Sequence, residues 1–84
     1  MTDGKADLGK EIPREFAARL FGCRPEEIAD DASIQNQAGW DSFAHLDLMM
    51  FLAERYGIEI TEETIQRYAV WGEIEALHRE HSRG

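Results

Sequence analysis

One serine stands where a hydroxyl could take part in phosphate chemistry. The run Gly39-Trp40-Asp41-Ser42-Phe43 lies where a long connection gives way to a strongly helical pattern. The first N–H groups of a helix have no intrahelical partner, and the helix dipole makes that end positive. A phosphodiester on the Ser42 hydroxyl would sit in a favourable field there. On the residues alone a second reading stays open, in which Ser42 is one more capping residue beside Asp41.

Other chemistry-bearing residues form weaker groupings. His78 and His81 are one helical turn apart, but no third metal ligand accompanies them. The span from Asp30 to Asp41 has the length of a calcium loop but lacks its alternating carboxylates and central glycine. No Gly-x-Ser-x-Gly turn is present. His45 lies close to Ser42 and is expected either to line a pocket or to pack in the core. The single cysteine, Cys23, cannot form an internal disulfide, which suits a reducing cytoplasm.

These residues belong to a chain of 84 residues with formal net charge −8. That length gives one domain with a modest core and little room for a catalytic cleft. The acidity disfavours nucleic acid and anionic lipid and favours brief, steered contacts with basic protein surfaces. No apolar run reaches the roughly 20 residues of a membrane helix. A monomeric, non-catalytic protein is expected, with a flexible leader over 1–10, a domain over 11–81 and a frayed tail over 82–84.

The elements that must position Ser42 are helical. The pattern predicts an all-α four-helix bundle with a long first loop and a short third helix. The first helix spans Pro13 to Phe21, opened by proline and stopped by Gly22, with Ile12, Phe16, Leu20 and Phe21 as its buried stripe. The loop that follows holds a turn at Pro25-Glu26-Glu27-Ile28, with Ile28 and Ile34 pinning it down. The second helix starts at Asp41-Ser42 and stops at Gly57. A helical wheel assigns His45, Leu46, Met49, Leu52, Ala53 and Tyr56 to the core. It turns Phe43, Ala44, Asp47, Met50, Phe51, Glu54 and Arg55 to the other side or its edges, an unusual mixture of carboxylates and large apolar groups. Thr61 caps a short third helix ending near Tyr68, and a fourth runs from Trp71 to His81.

In that register the sequence resembles the acyl carrier protein family. Asp41-Ser42-Phe43, followed by Leu46, Leu48 and Met49, is similar to the family's Asp-Ser-Leu attachment motif. The likeness extends from about Ile12 to His78. It takes in Pro25-Glu26-Glu27-Ile28, the run Leu52-Ala53-Glu54-Arg55-Tyr56-Gly57-Ile58-Glu59-Ile60, and Tyr68-Ala69-Val70-Trp71-Gly72-Glu73-Ile74. The resemblance implies that a phosphopantetheinyl transferase, with Mg²⁺ and coenzyme A, attaches 4′-phosphopantetheine to Ser42. Asp41 and Phe43 would flank the arm. Phe43, Asp47, Met50, Phe51 and Glu54 would dock acyl- or aminoacyl-activating and transferring enzymes. Three departures point to a specialised carrier: Phe43 where leucine is commonest, Ala53 and Arg55 in place of acidic residues, and Val70 where a capping threonine is frequent. Two alternatives remain, an aminoacyl or peptidyl carrier of the D-alanyl type and a helical adaptor without a cofactor.

Overall fold

Proline and glycine set the ends of the first helix. In the computed structural model, which describes residues 11–82, α1 spans Pro13–Phe21, with Pro13 in the first turn and Gly22 at φ 73° ending it. The leader expected over residues 1–10 lies outside the described residues. The buried side of α1 is Pro13, Ala17, Ala18 and Phe21. This corrects the expected stripe, because Phe16 and Leu20 are partly buried and lean on the core from its edge.

A 3₁₀ turn, Pro25–Glu27, opens the first loop. Beyond it the loop is stitched to the chain ahead of the last helix. Ile34 N–H donates to the Ala69 carbonyl at 2.9 Å, and Trp71 N–H donates to the Ala32 carbonyl at 2.9 Å. Ser33 and Val70 thereby form an isolated antiparallel bridge. Val70 lacks a capping hydroxyl, and the Glu73 N–H turns to the Val70 carbonyl at 3.3 Å.

Three further helices complete the bundle: α2 Ser42–Tyr56, α3 Glu62–Arg67 and α4 Trp71–Ser82. Gly57, at φ 74°, stops α2. Thr61 and Thr64 form a reciprocal cap at the start of α3. The last helix runs to Ser82; residues 83 and 84 of the expected tail lie outside the described residues.

The centre of the core is Leu48, Met49 and Leu52 of α2 with Trp71 and Ile74 of α4, all fully buried. Each such side chain contributes about 1.5–3 kcal/mol by leaving water. Arg14 ties α1, the first loop and α4 together. One guanidinium nitrogen donates to the carbonyls of Pro25 (2.8 Å) and Ile28 (2.9 Å). Its other nitrogens reach Glu75 Oε2, at 2.9 Å for Nη2, which also accepts from Trp71 Nε1 at 2.9 Å. The long loop that leads to Ser42 is thus held near its start by Arg14 and at its middle by the bridge to Val70.

Candidate functional site

The start of α2 is built from its cap outward. Asp41 has extended backbone angles, and its Oδ1 accepts from the Ala44 N–H at 2.9 Å. Its carbonyl accepts the His45 N–H at 2.8 Å. Those two bonds take up the N–H groups at the end of the first turn. The N–H groups of Ser42 and Phe43 are the ones that a helix start leaves for water or a ligand. Ser42 itself is exposed. Capping is thus done by Asp41, and the adjoining hydroxyl is left facing solvent at the positive end of a 15-residue helix. An exposed hydroxyl beside two uncommitted N–H groups fits a phosphodiester.

Behind Ser42 the chain is fixed by a contact between Trp40 and His45 that sequence reasoning did not find. Trp40 is 3% exposed. Its ring stacks on Phe21, with centroids 5.0 Å apart, and meets Trp71 edge-on at 6.4 Å. Its indole N–H donates to His45 Nδ1 at 3.1 Å. His45 is 4% exposed, and its Nε2 lies 2.8 Å from the Ile65 carbonyl. An indole N–H can only donate and a carbonyl can only accept. The imidazole therefore carries its proton on Nε2. Ile65 is near the end of α3, and Ala69 N–H, its nominal helical partner, bonds to Gln66 instead. His45 thus satisfies a carbonyl that the helix end leaves over. Of the two expectations for His45, the core role is the one seen.

Gly39 sets how closely the loop can come to α1. Its φ is 86°, and a Cβ placed on it would lie 2.3 Å from the Phe21 carbonyl oxygen. In sequence, only the pairing of a glycine with a tryptophan just before the helix hinted at this contact.

The outward face of α2 differs in part from the helical wheel. Phe43 is 82% exposed, Met50 52% and Leu46 50%; Asp47 and Glu54 are exposed. Their spacing places all five on one helical stripe running away from Ser42. Leu46 joins this stripe instead of the core, and Ala44 is buried in its stead. Phe51, expected on the docking face, stacks on Phe16 with centroids 4.3 Å apart at 11°. It is half-buried and seals α1 against α2. Arg55, expected at the solvent edge, turns back to the Glu11 carbonyl and lies over the Phe51 ring.

The remaining candidates are occupied in other ways. His78 Nδ1 is 2.9 Å from the Tyr56 hydroxyl, and His81 Nδ1 is 3.1 Å from the Leu77 carbonyl. Among the described residues no group of three His, Cys, Asp or Glu is arranged to hold a metal ion. Cys23 is half-buried, and burial, aided by the Glu27 carboxylate, pushes its thiol pKa up. A thiol in that state is a poor nucleophile. Among the described residues no helix is long and apolar enough to cross a membrane.

Residues 14–77 match a protein family described as "Phosphopantetheine attachment site". The chain is also similar to curated proteins over most of its length. It is 32% identical over 75 residues to the acyl carrier protein of Streptomyces coelicolor, covering 89% of this chain and 82% of that one. It is 28% identical over 61 residues to the acyl carrier protein of Wolinella succinogenes, covering 73% of this chain and 80% of the relative. With that of Zymomonas mobilis it shares 24% identity over 62 residues, covering 74% and 78% respectively.

Proposed function

The chain belongs to the acyl carrier protein family, and on that premise we propose that Ser42 is the residue that bears its 4′-phosphopantetheine arm. Proteins of this family carry acyl groups and do not catalyse their transformation. The arm, when bound, supplies a terminal thiol on which acyl groups are held as thioesters. The observation that carries the assignment to Ser42 is the exposed serine immediately after a cap whose carboxylate is already engaged by Ala44.

In loading, the Ser42 oxygen forms a bond to the phosphorus that carries pantetheine in coenzyme A. The pyrophosphate P–O bond breaks, adenosine bisphosphate leaves and the serine proton is released. The Ser42 and Phe43 N–H groups are suited to hold the resulting phosphodiester at the helix start. Asp41 is exposed, so its carboxylate can also meet the Mg²⁺ that a phosphopantetheinyl transferase brings. Incubation with a broad-specificity transferase, coenzyme A and Mg²⁺ should raise the intact mass by one phosphopantetheine. A parent protein that gains no mass would refute the assignment.

The docking surface in this reading is Phe43, Leu46, Asp47, Met50 and Glu54. The support is their common stripe and their exposure beside Ser42. Phe51 is left out because its ring is spent on Phe16. Apolar groups would give contact area and the two carboxylates would steer basic partner surfaces. Reversing both charges, Asp47→Arg with Glu54→Arg, should lower kcat/KM for loading about fivefold at low salt, since each exposed ion pair is worth ~0.2–1 kcal/mol. The effect should shrink as salt rises. Parental kinetics at low salt would count against this surface.

A specialised pathway, as opposed to general fatty-acid synthesis, completes the reading. It is supported by the bulky exposed Phe43 beside Ser42 and by Arg55, which takes the place of an acidic residue and packs back onto the fold.

A further inference from the structure

We propose that His45 is a positioning residue for loading: through its bond to Trp40 it fixes the backbone on both sides of Ser42 in the geometry that the transferase needs. The inference rests on the reading of Ser42 as the attachment point. It adds no new chemical step and concerns only where the serine oxygen is held while the phosphorus–oxygen bonds exchange.

Trp40 and His45 bracket Ser42 in sequence and meet through one hydrogen bond of 3.1 Å. The indole is immobilised independently, by its stacking on Phe21 and its edge contact with Trp71. The imidazole is immobilised by the 2.8 Å contact to the Ile65 carbonyl and by near-complete burial. The bond therefore joins two fixed points across the turn that carries the serine. Ser42 is exposed and cannot be held by packing of its own side chain. Its direction is inherited from this bracket and from the Asp41 cap. His45 spans two elements: its acceptor nitrogen serves the approach to Ser42 and its donor nitrogen serves α3.

Two substitutions separate the two bonds. His45→Asn places an amide oxygen near the Nδ1 position and keeps an acceptor for Trp40, but it falls short of Ile65. His45→Gln reaches towards Ile65 but gives up the acceptor for Trp40. Trp40→Phe keeps an aromatic ring on Phe21 and removes the donor. In loading assays on the full chain, His45→Gln and Trp40→Phe should lose about tenfold in kcat, because small displacements of a reacting atom are costly. KM for the carrier should stay within about twofold, because the stripe that would meet the transferase is untouched. His45→Asn should keep kcat within about twofold of the parent, even if its melting temperature falls as far as that of His45→Gln. That dependence on the Trp40 bond, and not on stability, is what a purely structural role would not produce. If a His45 variant fails to fold, Trp40→Phe still decides the matter.

A second readout is independent of the transferase. Nitrogen-15 shifts of the His45 ring in the unloaded protein should show Nε2 protonated and Nδ1 bare, and Trp40→Phe should move the Nδ1 signal. A proton found on Nδ1 overturns the proposal. A parent that loads while His45→Gln and Trp40→Phe keep the parental kcat also overturns it, and leaves the Ser42 assignment standing. A parent that never loads overturns the assignment and this proposal together.

Discussion

Replacing Ser42 with alanine should abolish arm loading completely while leaving the fold as stable as before. The two halves of this expectation have different physical origins. The Ser42 hydroxyl is exposed at the first position of α2, and the capping bond at that end is made by Asp41 to Ala44. Serine is a slightly poorer helix former than alanine, by a few tenths of a kcal/mol. Ser42→Ala should therefore unfold at the same denaturant concentration as the parent, to within about 0.5 kcal/mol. Had Ser42 been the cap, its loss would cost about 1 kcal/mol. That cost should fall on Asp41→Ala instead. Intact mass after incubation with transferase and coenzyme A reads the other half, and the variant should gain nothing. A mass gain in Ser42→Ala would move the attachment to another serine, such as Ser33, whose hydroxyl accepts from the Gln35 N–H at 3.2 Å. Normal stability with no loading is the pattern that separates an attachment site from a helix cap, which composition alone could not do.

What could be read in the sequence was set by local rules. Pro13 with Gly22, Asp41 with Gly57, and Thr61 with its acidic first turn mark ends that depend on a few neighbouring residues, and those ends lie where expected. The choice of buried side on α2 was harder. Large apolar groups occur all round this helix, so hydropathy gives little contrast between its faces. Leu46 proved exposed and Ala44 buried, because what counts is the neighbour across the interface and not the residue's own apolarity. The same holds for α1, where Ala17 and Ala18 take the inner positions that Phe16 and Leu20 were expected to fill. Phe51 could not be told from Phe43 or Met50 by type; the Phe16 ring opposite it makes the difference. The bracket around Ser42 was legible only as parts. Trp40 and His45 sit five residues apart, a spacing too wide for neighbours within one helix and meaningless until Trp40 folds inward.

Gly39 carries the second large expectation, because its constraint is tertiary. Gly39→Ala should cost about 2–5 kcal/mol, combining a strained backbone with an overlap that cannot relax cheaply. The first contribution comes from φ 86°, a region that L side chains rarely adopt. The second comes from the new methyl group, 2.3 Å from the Phe21 carbonyl oxygen and 2.8 Å from its Cα. Both atoms are backbone, so relief requires moving the end of α1 or lifting the loop. For a domain of this size, with total stability near the lower end of 5–15 kcal/mol, that is a large share. Gly57→Ala is the matched control. It has φ 74° but nothing within 4 Å of the added methyl group, so it should lose only the backbone contribution, about 1 kcal/mol. Urea unfolding of the pair isolates the overlap as their difference. Equal losses in the two variants would remove the close approach of loop and helix from the account. Lifting the loop would also carry Trp40 off Phe21 and away from His45, because Trp40 follows directly on Gly39. At matched fractions of folded protein, Gly39→Ala should then load more slowly than Gly57→Ala. That ordering would tie the seating of the loop on α1 to the reactivity of the serine three residues later.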